Sequence, residues 1–352
     1  MNSEKKIARA IDVGYGNTKY TLTDGMDGNE IECAMFPSVA PVSSRKGLEA
    51  FGSPRDTTSV DVEGTLFEVG PDAMLGMAAN ASRTLDLDFA RKPAYTALVR
   101  GALDRMKVPR VDCLFLGLPV SSVEALGRDL AQRMTGLHRL QDREIEVKEC
   151  MVVPQPVGGM WDFGVRNSML PHLQSSNSLL IDPGYFTLDW VVTRGLKMVG
   201  VRSGAANNAG MAAILRAIGE SMANTIKQRE GKPADLTESS LDRMDEAIRL
   251  GRPFRFNGKA EDLSRHMAAG QKVIDDGLAK LAHQIGTKSD IDNVIIVGGA
   301  AHLYQASVVQ MFHGYDVRVA QHAVYANVRG FGMMAARRAG LHAAPAKAEV
   351  GV

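Results

Sequence analysis

Residues 11–20 read IDVGYGNTKY, and residues 181–190 read IDPGYFTLDW. Set one above the other, the two stretches share Ile-Asp-x-Gly-Tyr. Each follows an apolar run, IARAIDV at 7–13 or SLLIDP at 178–183, and each leads into a second strand-like run, KYTLT or LDWVV. Strand, glycine turn, strand is the pattern of a β-hairpin. Its recurrence at so long a spacing is no solenoid period; it points to a duplicated domain, with one hairpin opening each half. A length of 352 residues fits that reading, because a single ordinary core does not grow so large.

A turn built on glycine lets backbone N–H groups approach an anion with no Cβ in the way. In the first turn Gly14 and Gly16 supply that freedom on either side of Tyr15, and Asn17 adds a side-chain donor. Lys19, two residues along the strand, emerges on the face of Asn17, where its ammonium can reach a phosphate. Asp12 ends the first strand and is placed for a magnesium ion, which keeps several waters and is held through carboxylates and phosphates. Asp182 is its counterpart in the second turn, followed by Gly184, Tyr185, Phe186 and Thr187. There Pro183 removes one N–H donor and the two aromatic residues narrow the loop, so fewer phosphate contacts are expected, with Thr187 compensating. A third glycine turn, Gly298-Gly299-Ala300, follows the buried-strand run NVIIV. Taken singly, each is also an ordinary Asp/Gly turn. The matched pair together with the third turn favours a phosphate site.

Outward from the turns, RKPAYTALVRGALDRMK (91–107) has helical spacing, and DCLFLGLPV (112–120) is a continuous apolar run that suits a buried strand. SSVEALGRDLAQRMT (121–135) opens a helix with Ser121–Ser122 as caps and Glu124 in position for a capping box. EIEVKECMVVPQPVGG reads as two strands, a turn at Pro154 and a helix start. Residues 208–285 read as mostly helical, broken near Gly231–Pro233 and Gly251–Asn257. YDVRVA is a last strand, NVRGFGMMAARRAG (327–340) a terminal helix, and residues 341–352 a frayed tail.

Lys and Arg number 41 against 40 Asp and Glu, a net charge of +1, so no global field draws the chain to nucleic acid or to a membrane. Cys33, Cys113 and Cys150 are far apart and form no CxxC, which argues against a disulfide framework or a zinc site; they read as buried thiols in a reducing compartment. MNSEKKIARA lacks the apolar core of a signal peptide, and no run approaches the roughly 20 apolar residues that span a bilayer. A cytoplasmic protein without membrane contact is the expectation.

The set Asp12-x-Gly14-x-Gly16-Asn17-x-Lys19, Asp182-x-Gly184-x-x-Thr187-x-Asp189 and Val297-Gly298-Gly299-Ala300 resembles the phosphate 1, phosphate 2 and adenosine motifs of the superfamily of actin, sugar kinases and heat-shock chaperones. With Ala326-Asn327-Val328-Arg329-Gly330 near the C-terminus, the pattern is similar to bacterial actin-like plasmid-segregation proteins of the ParM/StbA type. The opening AIDVGYGNTKY resembles the StbA-like protein D family of PRTRC plasmid systems.

That resemblance implies an α/β, actin-like (ribonuclease H-like) fold, two related α/β domains flanking a nucleotide cleft. Domain I would span 1–170 with an inserted subdomain at about 34–92, and domain II 171–340 with one within about 215–275. It implies ATP or ADP with Mg2+ as cofactors. By the family match, Gln155 in VVPQPVGG would orient the attacking water, an orienting role because an amide is no strong base. Asp182 would polarise the same water or hold the metal's water shell, and Asp12 would serve the metal. His302 could stack near the base but reads more readily as a surface helix histidine, and Lys227 and Glu230 carry no sharp motif. The resemblance further implies ATP-driven head-to-tail filaments that segregate plasmid DNA through a DNA-binding adaptor. PVSSRKGLEAFGSPRD and GFGMMAARR offer surface for such contacts. Two other readings stay open: a kinase of the same superfamily acting on a small hydroxyl substrate, and a nucleotide-gated binding module that does not polymerise.

Overall fold

A computed structural model describes residues 5–24, 30–43, 54–77, 83–234 and 236–341. The proposed contact segment at 41–56 falls largely outside them, as does nearly all of the tail expected at 341–352. In chain order the first half holds β1 (Ala8–Val13), β2 (Asn17–Thr21), β3 (Cys33–Pro37), β4 (Thr58–Val62), β5 (Thr65–Val69), α1 (Pro93–Arg105), β6 (Arg110–Val111), β7 (Cys113–Leu118), α2 (Val123–Met134), β8 (Gly136–Arg139), β9 (Glu144–Val147), β10 (Cys150–Pro154) and α3 (Gln155–Arg166). The second holds α4 (Leu170–Ser175), β11 (Asn177–Pro183), β12 (Thr187–Arg194), β13 (Lys197–Met198), β14 (Gly204–Asn207), α5 (Met211–Glu230), α6 (Glu238–Leu250), β15 (Phe254–Phe256), β16 (Lys259–Glu261), α7 (Met267–Ile285), β17 (Asn293–Ile296), α8 (Ala301–Met311), β18 (Val317–Val319) and α9 (Ala326–Arg338).

The duplication read from the two hairpins is the plan of the molecule. Among the described residues one sheet runs β10-β7-β1-β2-β3, and the other β13-β12-β11-β17-β18 with β14 also on β12. In each, the opening hairpin is antiparallel, and the next two strands join its first strand in parallel: β7 on β1 and β10 on β7, then β17 on β11 and β18 on β17. The central strand β7, CLFLGL, is apolar and buried along its whole length because helices cover both faces. Leu98, Leu103 and Leu130 of α1 and α2 pack with Ile11, Leu114 and Leu116. Ile214, Ile218, Leu278 and Leu281 of α5 and α7 pack with Leu188 and Trp190.

The remaining face of each sheet is covered by a helix from the other half. α3 leaves β10 of the first sheet, yet Met160 and Phe163 pack with Leu180, Ile295 and Val297 of the second. α9 follows β18 of the second sheet, yet Val328, Phe331 and Ala335 pack with Ala8, Ala10 and Phe115 of the first. The two helices cross at glycines, where a Cβ on Gly330 would lie 1.8 Å from the Gly158 carbonyl oxygen.

Two expectations are corrected. The stretch read as mostly helical contains the hairpin β15–β16, in which Phe254 and Phe256 are buried and Arg255 is exposed. Its turn is Asn257-Gly258, both at positive φ, the pairing a type I′ turn requires. At the start of α2, Ser122 makes no side-chain capping bond; its hydroxyl donates instead to the Leu87 carbonyl at 3.5 Å. All three cysteines are free, with Cys113 and Cys150 buried. Among the described residues no helix is long and apolar enough to cross a membrane.

Candidate functional site

The two hairpin turns have the same local structure. The Gly14 N–H donates to the Asn17 carbonyl at 3.2 Å, and the Gly184 N–H to the Thr187 carbonyl at 2.8 Å. Asp12 ends β1 opposite Lys19 of β2, and Asp182 ends β11 opposite Asp189 of β12. Strand register therefore sets a cross-strand partner for each aspartate, and the two partners have opposite charge.

In the first half Lys19 Nζ lies 3.0 Å from Asp12 Oδ2, and Gln155 Nε2 donates to Asp12 Oδ1 at 2.8 Å. Gln155 is the first residue of α3, so the end of β10 delivers it to the carboxylate. The second half repeats the device. Asn327, at the start of α9, donates from Nδ2 to Asp182 Oδ2 at 2.6 Å. Its Oδ1 accepts from the Gly159 N–H of α3 at 3.1 Å, which ties this arrangement to the other half. Sequence reasoning quoted Asn327 within a motif without giving it a role. The signal was present: Gln155 stands 143 residues after Asp12, and Asn327 stands 145 after Asp182.

Electrostatically the halves differ. Asp182 and Asp189 are cross-strand partners, and among the described residues neither forms an ion pair with a cation. Burial, then the neighbouring Asp189 charge, pushes the Asp182 carboxyl up to about 7 against the opposing bond from Asn327. Burial likewise raises Asp189 to about 6, although Thr187 and the Val120 N–H, at 2.8 Å from Oδ1, favour its anion. Asp189 thus joins β12 to the loop after β7, a contact between halves that sequence reasoning left unassigned.

The turns meet directly. A Cβ on Gly16 would lie 2.9 Å from Tyr185 Cβ, so glycine is required there by the approach of the opposite turn. Tyr15 and Phe186 bury their rings against each other, centroids 4.9 Å apart, and the Tyr15 hydroxyl donates to the Asp86 carbonyl. What these two residues can offer a ligand is their backbone. The Gly184, Tyr185 and Phe186 carbonyls accept N–H groups from Met211, Ala212 and Gly210 at the start of α5.

The third turn sits on the second. Gly298 has φ +84°, and a Cβ there would lie 2.0 Å from Asp182 Oδ1. The Ala300 N–H donates to the Pro183 carbonyl at 2.9 Å. Gly299 is unlike its neighbour: a Cβ would meet nothing nearer than Val324 Cγ2 at 3.8 Å. Gly298→Ala is therefore expected to lower the melting temperature sharply, through strained backbone and a displaced carboxylate costing about 2 kcal/mol or more. Gly299→Ala should leave the melting temperature nearly unchanged. If nucleotide lies on this turn, Gly299→Ala weakens its binding nonetheless. Calorimetric unfolding and nucleotide titration of the two variants check both statements.

Residues 10–158 match the family described as the N-terminal domain of actin-like proteins. No curated protein sequence matches the chain. Among solved structures, the archaeal actin homologue Ta0583 in complex with ADP aligns at TM-score 0.70 and 18% identity, covering 94% of this chain and 99% of that one. A 15-stranded ParM filament from Clostridium botulinum aligns at TM-score 0.70 and 16% identity, covering 95% of this chain and 100% of that one. The apo pSK41 ParM protein aligns at TM-score 0.64 and 16% identity, covering 96% and 99%. The fold is thus shared in outline along almost the whole chain. From end to end the chain has the actin-like fold, and its residues 10–158 match the N-terminal domain of actin-like proteins.

Proposed function

We propose that the chain is an ATPase of the filament-forming, plasmid-segregating kind, working in the cytoplasm and assembling head to tail with copies of itself. The observation that carries this reading is the mirrored pair of carboxylate–amide contacts, Asp12 with Gln155 and Asp182 with Asn327, on two turns that face each other. Support for the nucleotide comes from the ADP complex of the archaeal homologue, and for assembly from the ParM filament.

In this reading the N–H groups of residues 15–17, with Lys19, and those of residues 185–187 hold the phosphates, on turns closed by the Gly14 and Gly184 N–H groups, and Gly298, Gly299 and Ala300 receive the adenosine. Gln155 has its amide nitrogen committed to Asp12, which leaves its oxygen to accept from a water and orient it. Asp182, raised to about 7, can take up a proton near neutral pH. The oxygen donors of Asp12 and Asp182 are of the hard kind that magnesium takes. Bound there through its own waters, the ion would supply charge neutralisation at the phosphates. A DNA-binding adaptor would carry the plasmid, since a net charge of +1 gives the chain little pull of its own on DNA.

The test is right-angle light scattering against protein concentration with ATP and magnesium, alongside phosphate release. Scattering that rises above a critical concentration with ATP and not with ADP is the expected result. Gln155→Ala should cut phosphate release on the order of 10²-fold while filaments form and persist. A flat trace at every concentration, with phosphate transferred to a sugar hydroxyl, would overturn the reading in favour of a kinase.

A further inference from the structure

Arg83 lies between the two turns and belongs to none of the motifs. Its side chain is almost fully enclosed, at 5% exposure. Nη1 donates to the Gly16 carbonyl oxygen of the first turn at 2.6 Å. Nη2 lies 3.0 Å from each carboxylate oxygen of Asp242 on α6. The guanidinium stands over the Tyr185 ring of the second turn, 5.1 Å from its centroid. Nε lies 3.9 Å from Glu238 Oε2, and Glu238 in turn accepts from the Tyr185 hydroxyl at 3.2 Å and from Arg216 at 2.9 Å. One planar cation from the first half thus holds the first turn, the second turn and a helix of the second half at once.

The turns touch at the same place: a Cβ on Gly16 would lie 2.9 Å from Tyr185 Cβ, so a ligand held between the turns has to part them. Opening that contact separates Arg83 from Asp242, a hydrogen-bonded ion pair whose guanidinium is enclosed and whose carboxylate is 38% exposed. Each terminal nitrogen already donates to a protein acceptor on a different half, which makes the residue a fastener. The Gly16 carbonyl also accepts from the Ser38 N–H at 2.9 Å, so the two donors together fix the peptide that presents the first turn.

We propose that Arg83 is a positioning residue that gates the nucleotide site: its ion pair with Asp242 fastens the turns together and sets the rate at which nucleotide enters and leaves. This rests on the nucleotide-binding reading above. A gate differs from a ligand in its kinetic signature. Loosening a gate speeds association and dissociation together, whereas losing a phosphate ligand speeds dissociation alone.

The experiment is stopped-flow fluorescence with N-methylanthraniloyl-ADP and magnesium on the full chain. Wild type must first show saturable binding; if it shows none, the nucleotide reading itself fails. With binding in hand, Arg83→Ala is expected to raise both rate constants about tenfold or more. Asp242→Asn keeps the helix and removes only the charge, and should raise both by a smaller factor; it carries the test if the alanine variant does not fold. Arg83→Lys cannot reach Gly16 and both Asp242 oxygens at once, so it should fall between wild type and Arg83→Ala. Unchanged rate constants in Asp242→Asn and Arg83→Lys would overturn the proposal, as would a rise in dissociation with association unmoved.

Discussion

Asp182→Asn is expected to make the nucleotide-free protein more stable at pH 8 and to lower the proposed ATP hydrolysis sharply. Asp182 is 5% exposed and faces Asp189, at 2%. Two buried carboxylates that form no ion pair among the described residues hold their protons longer than carboxylates in water, and so Asp182 is raised to about 7 and Asp189 to about 6. The unfolded chain loses the same protons near pH 4. Raised folded values mean that the stabilising contribution is complete below about pH 4 and is lost as pH rises through 6 and 7. Without magnesium or nucleotide, the melting temperature should therefore be higher at pH 5.5 than at pH 8. The amide that replaces the carboxylate keeps an oxygen to accept from Asn327 and carries no charge to desolvate. It should raise the melting temperature at pH 8 by roughly 3 °C, about what 2 kcal/mol produces in a chain of this size, and flatten the pH dependence. Phosphate release should fall on the order of 10²-fold or more, since the group proposed to take up the proton is gone. Scanning calorimetry in EDTA at the two pH values, with a phosphate assay, decides it. A variant that melts at or below wild type at pH 8 would show that the unfavourable charge at Asp182 is not there. Stability gained where activity is lost is the pattern of a site held in an unfavourable state for use.

Much of this was legible in the residues. The hairpins stand out because strand alternation and Asp-Gly turn chemistry are local, and their near-identity announces the duplication. The apolar runs at 113–118 and 293–296 announce the parallel strands. The exchange of α3 and α9 is not legible in the same way. A helical pattern tells that one face is buried, and says nothing about which sheet buries it. Arg83 was invisible for a related reason, since its partners lie 67 and 159 residues away and no spacing rule links them. The β15–β16 hairpin was overlooked although Asn257-Gly258 is a strong turn signal, because the helical runs on either side outweighed three-residue strands. Asn327 required carrying the duplication through to its end: once Asp12 pairs with an amide at the start of α3, the repeat asks for another at the start of α9.

The exchanged helices lead to the second large effect. Gly330→Ala should destabilise the protein by about 3–5 kcal/mol, although alanine is the better helix former by about 1 kcal/mol. Its Cβ would lie 1.8 Å from the Gly158 carbonyl oxygen and 2.5 Å from that carbonyl carbon. Both are backbone, so no side chain can turn aside, and α3 and α9 must separate. Everything fastened to the crossing moves with them: Asn327 on Asp182, the Gly159 N–H on Asn327, and the buried pair in which Arg329 donates to Asp162 at 2.7 and 2.6 Å. Each helix also covers the sheet of the opposite half, so the strain reaches both cores. Gly127→Ala in α2 is the matched control. It is another buried helical glycine, but its Cβ would meet its nearest neighbours at 3.6 Å, an ordinary contact. There the propensity gain should appear unopposed, raising stability by roughly 0.5–1 kcal/mol. Urea unfolding of the two variants gives the comparison directly. Equal effects at the two positions would mean that α3 and α9 do not touch at Gly158 and Gly330. Opposite signs would locate the junction of the two halves at that pair of glycines, beside the Asn327 that holds Asp182.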